Sequence, residues 1–166
     1  DDTAIFRGNA SEYEITSNAD GSYTITDTFA GRDGSDTVTN VESFAFADKT
    51  YSADELNDLG ITFEGDANAN EISGGKGDDT IIGGEGDDTL QGQLGNDAID
   101  GGKGDDLIAG GEGNDFIKGG DGNDSITGDA GNDLIYGEAG NDTISGNSGD
   151  DRIVGGSGDD KIDGGA

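Results

Sequence analysis

Residues 74–91 read GGKGDDTIIGGEGDDTLQ, a tandem pair of nine-residue repeats that differ at a few positions. From Gly65 to Asp163 this repeat recurs in register, without insertion, as eleven units of nine residues. Position 1 is always Gly, position 6 is Asp except at Asn70, and position 8 is Ile except at Leu90. A period this regular is typical of a solenoid, in which each unit packs on its neighbours.

Each unit joins a glycine-rich part to a short apolar part. Glycine permits positive φ and close backbone approach, so we expect positions 1–6 to form a tight turn rather than the interior of a strand. Positions 7–9 suit a short strand with position 8 pointing inward. Two units then make one flattened coil, and stacked coils pair each strand with the strand two units later. The isoleucines form one thin core between two parallel sheets.

The composition argues against several classes of protein. The formal net charge is -30, and hydrophobic residues make up only 29% of the chain, which is typical of disorder unless cations neutralise the charge. This charge also argues against nucleic-acid binding and against an anionic membrane surface. No apolar run is long enough for a membrane helix, so we expect no membrane insertion. Cys and His are absent, which excludes disulfides, zinc–thiolate sites and the commonest general base.

The turns favour a bound cation. Stacking the coils places each position-6 carboxylate above another, and this arrangement is repulsive without a counter-ion. The turns are also rich in backbone carbonyl oxygen. Calcium accepts six to eight oxygen ligands in a flexible geometry, whereas magnesium tends to keep its waters. We therefore expect calcium ions between the stacked turns.

The units resemble the repeats-in-toxin (RTX, haemolysin-type) calcium-binding nonapeptide, G-G-x-G-x-D-x-U-x, over residues 65–163. The resemblance implies an all-β fold over residues 65–166, namely a right-handed parallel β-roll, which is a β-solenoid with two nonapeptides, or about 18 residues, per coil. It further implies about eight or nine calcium ions, each held between turns two units apart by position-6 carboxylates and turn carbonyls. Asn70 and Ala69 depart from the pattern, which puts the first site in doubt.

The ligands that the resemblance implies come from two parts of the repeat. The carboxylate ligands would be Asp79, Asp97, Asp115, Asp133 and Asp151 on one edge of the roll, and Asp88, Asp106, Asp124, Asp142 and Asp160 on the other. The carbonyl ligands would be Gly75, Gly77, Gly84, Gly86, Gly95, Gly102, Gly104, Gly111, Gly113, Gly120, Gly122, Gly131, Gly140 and Gly149.

Residues 1–64 lack the period and hold most of the aromatic residues. YEIT and SYTIT, separated by SNADG (17–21), predict a hairpin, and VESFAFA (41–47) predicts another strand. SADEL (52–56) predicts a short helix reaching about residue 58, with Ser52 as N-cap and Glu55 closing a capping box. We expect a small β-rich cap on the first coil. Within it, GRDGSDTVT (31–39) copies the repeat out of phase, as either a plain turn or one weak ion site.

The resemblance implies a calcium-dependent folding module of a type I-secreted extracellular or cell-surface bacterial protein. The parent would be an adhesin or an extracellular enzyme with neighbouring domains, and the chain, which starts at Asp1, looks like a fragment of it. In a calcium-poor cytosol repulsion would keep the chain unfolded and exportable, and outside it would fold. We expect no catalytic residue and no organic cofactor, because nearly every clustered Asp has a metal role. An EF-hand at residues 66–77 fits poorly, since Glu71 replaces the required Gly.

The outward residues of the even-numbered units suggest an alternative function. They include a candidate partner or ligand surface, here called the even face, made of Ile82, Phe116, Leu134, Tyr136 and Val154. Because an exposed apolar patch usually marks a contact, the even face could bind a polysaccharide or a protein. It could instead pack against residues 1–64, a neighbouring domain or a second copy of the chain, which is the more common role of such a patch. Ice binding fits less well, since the outward Thr residues are scattered.

Overall fold

The repeat region forms two parallel sheets whose strands alternate along the chain. The structure, a computed structural model, describes residues 2–29, 32–41 and 43–166. The strands of the repeats are β8 (Glu71–Gly75), β9 (Thr80–Glu85), β10 (Thr89–Leu94), β11 (Ala98–Lys103), β12 (Leu107–Glu112), β13 (Phe116–Asp121), β14 (Ser125–Ala130), β15 (Leu134–Ala139), β16 (Thr143–Ser148), β17 (Arg152–Ser157) and β18 (Lys161–Asp163). Ile81 pairs with Ile99, and Ile99 pairs with Ile117, so each coil spans two repeat units. The predicted all-β solenoid is confirmed.

The strands are longer than the sequence predicts. Most contain six residues and run on through positions 1–3 of the next unit, as in Thr80–Glu85. The expectation that these positions lie outside the strands is therefore wrong. Because every coil repeats the same backbone conformation, the glycine-rich part also forms backbone pairs with the neighbouring coil. Gly84 pairs with Gly102, and Glu85 pairs with Lys103. Only positions 4–6 remain as the turn.

The core is the predicted strip of position-8 side chains. Eight of them are 0–1% exposed: Ile81, Leu90, Ile99, Ile108, Ile117, Ile126, Ile135 and Ile144. In the last strand, Ile162 is 49% exposed, because among the described residues no further coil covers it. Burial along the roll thus depends on a neighbouring coil on each side.

The N-terminal residues form a β-rich region of short elements. Their bounds are β1 (Thr3–Ile5), a one-turn 3-10 helix (Ala10–Glu12), β2 (Tyr13–Asn18), β3 (Tyr23–Asp27), β4 (Ser35–Val38), β5 (Ser43–Ala45), β6 (Thr50–Ser52), α1 (Ala53–Asn57) and β7 (Thr62–Glu64). The predicted hairpin is confirmed as β2 and β3, and the predicted helix as α1, where Ser52 Oγ accepts a hydrogen bond from Glu55 N–H at 3.1 Å. Neither helix of the described part is long or apolar enough to cross a membrane.

The N-terminal region joins the roll edge to edge. In the described residues, β7 pairs with β9, and β2, β3 and β4 extend the same sheet to nine strands. The second sheet of the roll has six strands, and β1, β5 and β6 form a separate three-stranded sheet. Phe63 pairs with Ile81 and takes the place of a position-8 side chain, and it is 5% exposed. Ile61 N–H donates to Oδ1 of Asp79 at 2.8 Å, as a position-6 residue does elsewhere. The first half-coil therefore comes from residues that precede the first glycine of the repeats.

The described part of the out-of-phase copy, residues 32–39, forms a turn followed by strand β4. Asp33 accepts hydrogen bonds from Arg7 Nε at 2.6 Å and from the Tyr13 hydroxyl at 2.5 Å. Those contacts hold the pKa of Asp33 down at about 2, and the Tyr13 hydroxyl is the strongest of them. Asp36 lies exposed in β4, and Gly31 lies outside the described residues. Because Asp33 already has a cationic partner, the plain-turn interpretation is favoured.

Candidate metal centre

The position-6 carboxylates form two columns, one along each edge of the roll. In each column, Oδ1 accepts a hydrogen bond from the backbone N–H of the residue 18 positions earlier. The distance is 2.8 Å from Asp79 N to Asp97 Oδ1, from Asp97 N to Asp115 Oδ1, and from Asp88 N to Asp106 Oδ1. All ten Asp residues predicted as ligands lie in these columns: Asp79, Asp97, Asp115, Asp133 and Asp151 on one edge, and Asp88, Asp106, Asp124, Asp142 and Asp160 on the other.

The second oxygen of each carboxylate is buried without a partner. The Asp side chains from Asp79 to Asp142 in the two columns are only 1–2% exposed. Oδ2 accepts no hydrogen bond in nine of the described carboxylates: Asp79, Asp88, Asp97, Asp106, Asp115, Asp124, Asp133, Asp142 and Asp151. A buried charged group without a partner carries a large desolvation penalty. Each of these oxygens therefore needs a cation or a proton.

The glycine at position 1 leaves space beside each unpartnered oxygen. A Cβ atom built on Gly74 would lie 2.5 Å from Oδ2 of Asp79 and 2.7 Å from the carbonyl oxygen of Gly92 in the next coil. A Cβ on Gly83 would lie 2.5 Å from Oδ2 of Asp88 and would overlap the carbonyl of Gly101. A carboxylate oxygen and a carbonyl oxygen thus border one small space that any side chain would fill. This all-oxygen donor set fits calcium.

The predicted carbonyl ligands point along the stack toward the next coil. A Cβ on Gly102 would overlap the carbonyl oxygen of Gly84, and a Cβ on Gly104 would overlap that of Gly86. No three acidic side chains converge anywhere in the described part of the chain. A calcium ion held here would therefore take many of its ligands from backbone carbonyls. The position-1 carbonyls were not among the predicted ligands, although the invariant Gly at position 1 was the available signal.

Burial shifts the titration of the columns. It raises the pKa of Asp79 to about 7 and the pKa of Asp106, Asp115 and Asp124 to about 6, with neighbouring carboxylates contributing less. Burial also raises the pKa of Asp88, Asp97, Asp133 and Asp142. A raised pKa means that the ionised form is disfavoured in the folded chain. A cation beside Oδ2 would favour the ionised form, so metal binding and proton release are coupled.

A second pair of columns, missed in the sequence, lies on the exposed side of the turns at position 5. Asn114 N–H donates to Oδ1 of Asn96 at 2.9 Å, and Asn132 N–H donates to Oδ1 of Asn114 at 2.8 Å. The Asn114 amide also donates to Oδ1 of Asn96, at 3.2 Å. Asp78, Asp87 and Asp105 accept the same contact from the next coil, so the position-5 side chains tie successive turns together. The restriction of position 5 to Asp or Asn in every unit but the first, which has Ala69, was the signal in the sequence.

The first repeat differs, as its departures suggested. Asn70 replaces the position-6 Asp, and its Oδ1 accepts a hydrogen bond from Asp66 N–H at 2.8 Å. A Cβ on Gly65 would lie 2.5 Å from this oxygen, so the amide occupies the place of the unpartnered carboxylate oxygen elsewhere. The backbone N–H of Asn70 still donates to Oδ1 of Asp88 at 2.7 Å. This turn is satisfied without a cation beside Asn70.

The even face lies on the outer side of the nine-stranded sheet, and the described residues before Gly65 do not cover it. Ile82 and Val154 are each 40% exposed and Phe116 is 38% exposed, while Leu134 and Tyr136 are half-buried. The Phe116 and Tyr136 rings pack edge to face, with centroids 6.0 Å apart. The Lys118 ammonium lies 5.8 Å from the centroid of the Phe116 ring. The interpretation that the even face packs against residues 1–64 is therefore wrong, because those residues extend the sheet edgewise instead.

Comparison with known proteins agrees with this geometry. The model of the RTX calcium-binding nonapeptide repeat matches in four copies, at residues 64–99, 82–117, 109–144 and 136–166. Together the copies cover more than half of the chain. The comparison with curated proteins gives no match. The period, the columns of buried carboxylates and the matched region lead to one conclusion: the chain belongs to the RTX calcium-binding nonapeptide repeat family.

Proposed function

We propose that the chain is a calcium-dependent folding module of a type I-secreted extracellular bacterial protein, in a region of an adhesin or an extracellular enzyme. The observation that carries this proposal is the set of nine buried Oδ2 atoms without partners, each beside a glycine that leaves room for an ion. RTX repeats bind calcium and are typical of secreted bacterial proteins. The module stabilises its parent protein and carries out no catalysis itself.

The chain's own residues act as a folding switch. When calcium is scarce, the 38 acidic residues repel one another, and folding would bury ionised carboxylates. Bound calcium supplies the missing positive charge, and the columns then hold the coils together through carboxylate and carbonyl oxygens. The stability gained rises with calcium concentration by mass action. Such a chain stays exportable in a calcium-poor cytosol and folds outside the cell.

Far-ultraviolet circular dichroism tests the switch. We expect a large gain of β signal as calcium rises to millimolar concentration, reversal by EDTA, and a much smaller response to magnesium at equal concentration. An unchanged β spectrum in excess EDTA would show that the roll folds without calcium. An equal response to magnesium would show general charge screening instead of specific sites.

A second candidate function is binding of a polysaccharide or a protein through the even face. The exposed apolar side chains of Ile82, Phe116 and Val154 favour it. The edge-to-face packing of Phe116 on Tyr136, with Lys118 nearby, supports a flat protein contact better than sugar stacking. Replacing both aromatic residues with Ser should abolish binding on a glycan array or to a protein partner, with the calcium-dependent melting temperature unchanged. A lower melting temperature would indicate a structural role.

A further inference from the structure

The outer side of the six-stranded sheet, here called the odd face, carries a polar groove over strand β12. The groove has a volume of about 370 Å³, and its floor is formed by Ala109 and Gly111. Gln93 pairs with Gly111 on one side, and Asp129 pairs with it on the other. The small floor residues of β12 thus lie between longer side chains on β10 and β14.

Both walls are held in place by hydrogen bonds. On β10, the Gln93 amide donates to Oε1 of Gln91 at 2.9 Å. On the other wall, Asn147 Nδ2 donates to Oδ1 of Asp129 at 2.9 Å, and the Thr127 hydroxyl lies 3.3 Å from Oδ2. Rigidly held polar groups lose little entropy when they bind a ligand. Glu112 and Leu94 also line the groove, adding one more acceptor and an apolar contact.

The wall residues adopt a backbone conformation that favours glycine. Gln93 has φ 80° and Asp129 has φ 73°, at the repeat position where Gly111 has φ 115°. A residue other than glycine is disfavoured in this left-handed region because its Cβ approaches the following carbonyl oxygen. Asn147, which holds Asp129, also lies there, with φ 68°. Position 2 thus has this conformation on both sheets, and on the odd face it sets the side chains of Gln93 and Asp129 on either side of Gly111.

The dimensions and chemistry of the groove restrict the ligand. The walls stand two strand spacings apart, about 9.5 Å, which leaves too little room for an α-helix about 10–12 Å wide. Glu112, Asp129 and the net charge of -30 oppose anionic ligands. Amide and carboxylate groups that already make hydrogen bonds have lone pairs left for hydroxyl donors. The acidic side chains that line the groove, Glu112 and Asp129, have no buried oxygen without a partner, which distinguishes the groove from the calcium columns.

We propose that this odd-face groove binds one neutral, hydroxyl-rich sugar ring, either free or as a unit of a polysaccharide. Gln91, Gln93, Asp129 and Glu112 supply the hydrogen-bonding groups, and Ala109 and Leu94 contact the apolar side of the ring. The side chains of the site are separate from the carboxylate columns and from the even face, and Gly111 in its floor is the one lining residue that is also a predicted carbonyl ligand.

Saturation-transfer NMR on the calcium-loaded chain tests the proposal, with methyl α-mannoside, methyl β-glucoside and methyl β-galactoside as probes. We expect transfer to at least one glycoside, and binding at least tenfold weaker in Gln93→Gly and in Asp129→Gly. Because both substitutions relieve strain, the melting temperature should stay constant or rise. Glu138→Gly is the matched control: Glu138 has φ 72° at the same repeat position on the other sheet, so stability should rise and binding should not change.

Three results would overturn the proposal. These are no transfer to any of the three glycosides, equal binding by the wild type and the two wall variants, and loss of one bound calcium ion in Asp129→Gly. The last result would make the groove a metal site. Retardation of the wild type on dextran or agarose, in addition to glycoside binding, would assign the ring to a polysaccharide, and glycoside binding alone would assign it to a free sugar.

Discussion

Asp115→Asn tests the role of the carboxylate columns at the middle of one edge. The Asn side chain has nearly the same shape and keeps an oxygen for the hydrogen bond that Asp97 N–H donates at 2.8 Å. It removes the buried negative charge at Oδ2, which has no partner. The substitution should therefore stabilise the fold when calcium is absent and weaken its response to calcium.

The two effects can be estimated separately. Burial raises the pKa of Asp115 to about 6, roughly two units above the value of an exposed Asp, so the ionised side chain costs about 3 kcal/mol in the calcium-free fold at pH 8. Removing this charge with Asp115→Asn should raise the free energy of unfolding of the calcium-free chain by about 3 kcal/mol. Asp115 lies between Asp97 and Asp133 in its column, so up to two calcium sites lose a ligand. At millimolar calcium, a site with a dissociation constant of about 100 μM contributes about 1.5–2.5 kcal/mol.

Urea unfolding at calcium concentrations from micromolar to 10 mM measures both effects. The slope of the unfolding free energy against the logarithm of calcium concentration counts the ions taken up on folding. For Asp115→Asn we expect this count to fall by one to two, with higher stability at the low-calcium end. Asp105→Asn is the matched control, since it removes the same charge from an exposed position-5 side chain and should leave the count unchanged. An unchanged count for Asp115→Asn, or equal destabilisation at every calcium concentration, would refute the reasoning.

Three further perturbations test other parts of the structure. First, the raised pKa values (about 7 for Asp79 and about 6 for Asp106, Asp115 and Asp124) mean that burial penalises the folded state increasingly as pH rises from about 4 to 7. The β signal of the calcium-free chain should therefore increase on acidification through this window, and a signal that decreases would contradict the assignment. Second, Gly101→Ala places a Cβ against Oδ2 of Asp106 and the Gly119 carbonyl oxygen. It should lower the free energy of unfolding in calcium by at least about 2 kcal/mol and weaken calcium uptake. Melting and calcium uptake equal to those of the wild type would show that the space beside Gly101 is not needed for the ion. Third, Ile117→Ala should lower the free energy of unfolding in a urea titration by about 2–5 kcal/mol, because Ile117 is 0% exposed. Ile162→Ala should lower it by less than about 1 kcal/mol, because Ile162 is 49% exposed. Equal losses of stability in the two variants would contradict the stacked core.

Much of the roll could be predicted because its repeat is strictly periodic. The nine-residue period alone places Asp79 and Asp97 in one column and Ile81 beside Ile99, since a constant period stacks residues from the same repeat position above one another. The burial of the position-6 carboxylates inside the turns could not be predicted, because it depends on the hydrogen bond that Oδ1 accepts from a backbone N–H of the neighbouring coil. The strand character of Gly83 to Glu85 was missed for a related reason. Glycine is a poor strand former in isolation, but here an identical backbone lies alongside as its partner.

The junction between the N-terminal region and the roll could not be predicted from the repeat pattern. Ile61 to Glu64 form a half-coil without the glycine motif, and the end of α1 occupies the place of the missing turn. A Cβ on Gly75 would lie 2.9 Å from the carbonyl oxygen of Asn57, which shows how closely the two segments approach. Lys76 also pairs with Asp58 at 2.7 Å. Such docking depends on tertiary contacts between unlike sequences, and periodicity carries no signal for it.

Anomalous diffraction from crystals grown in calcium tests the central claim most directly. An anomalous difference map at long wavelength locates calcium without reference to the protein atoms. We expect eight or nine peaks in two rows inside the turns, each next to Oδ2 of a position-6 Asp, with no peak beside Asn70. Folded chains with no peaks between the turns, or with peaks only on the exposed position-5 carboxylates, would contradict calcium as the ion around which the roll folds.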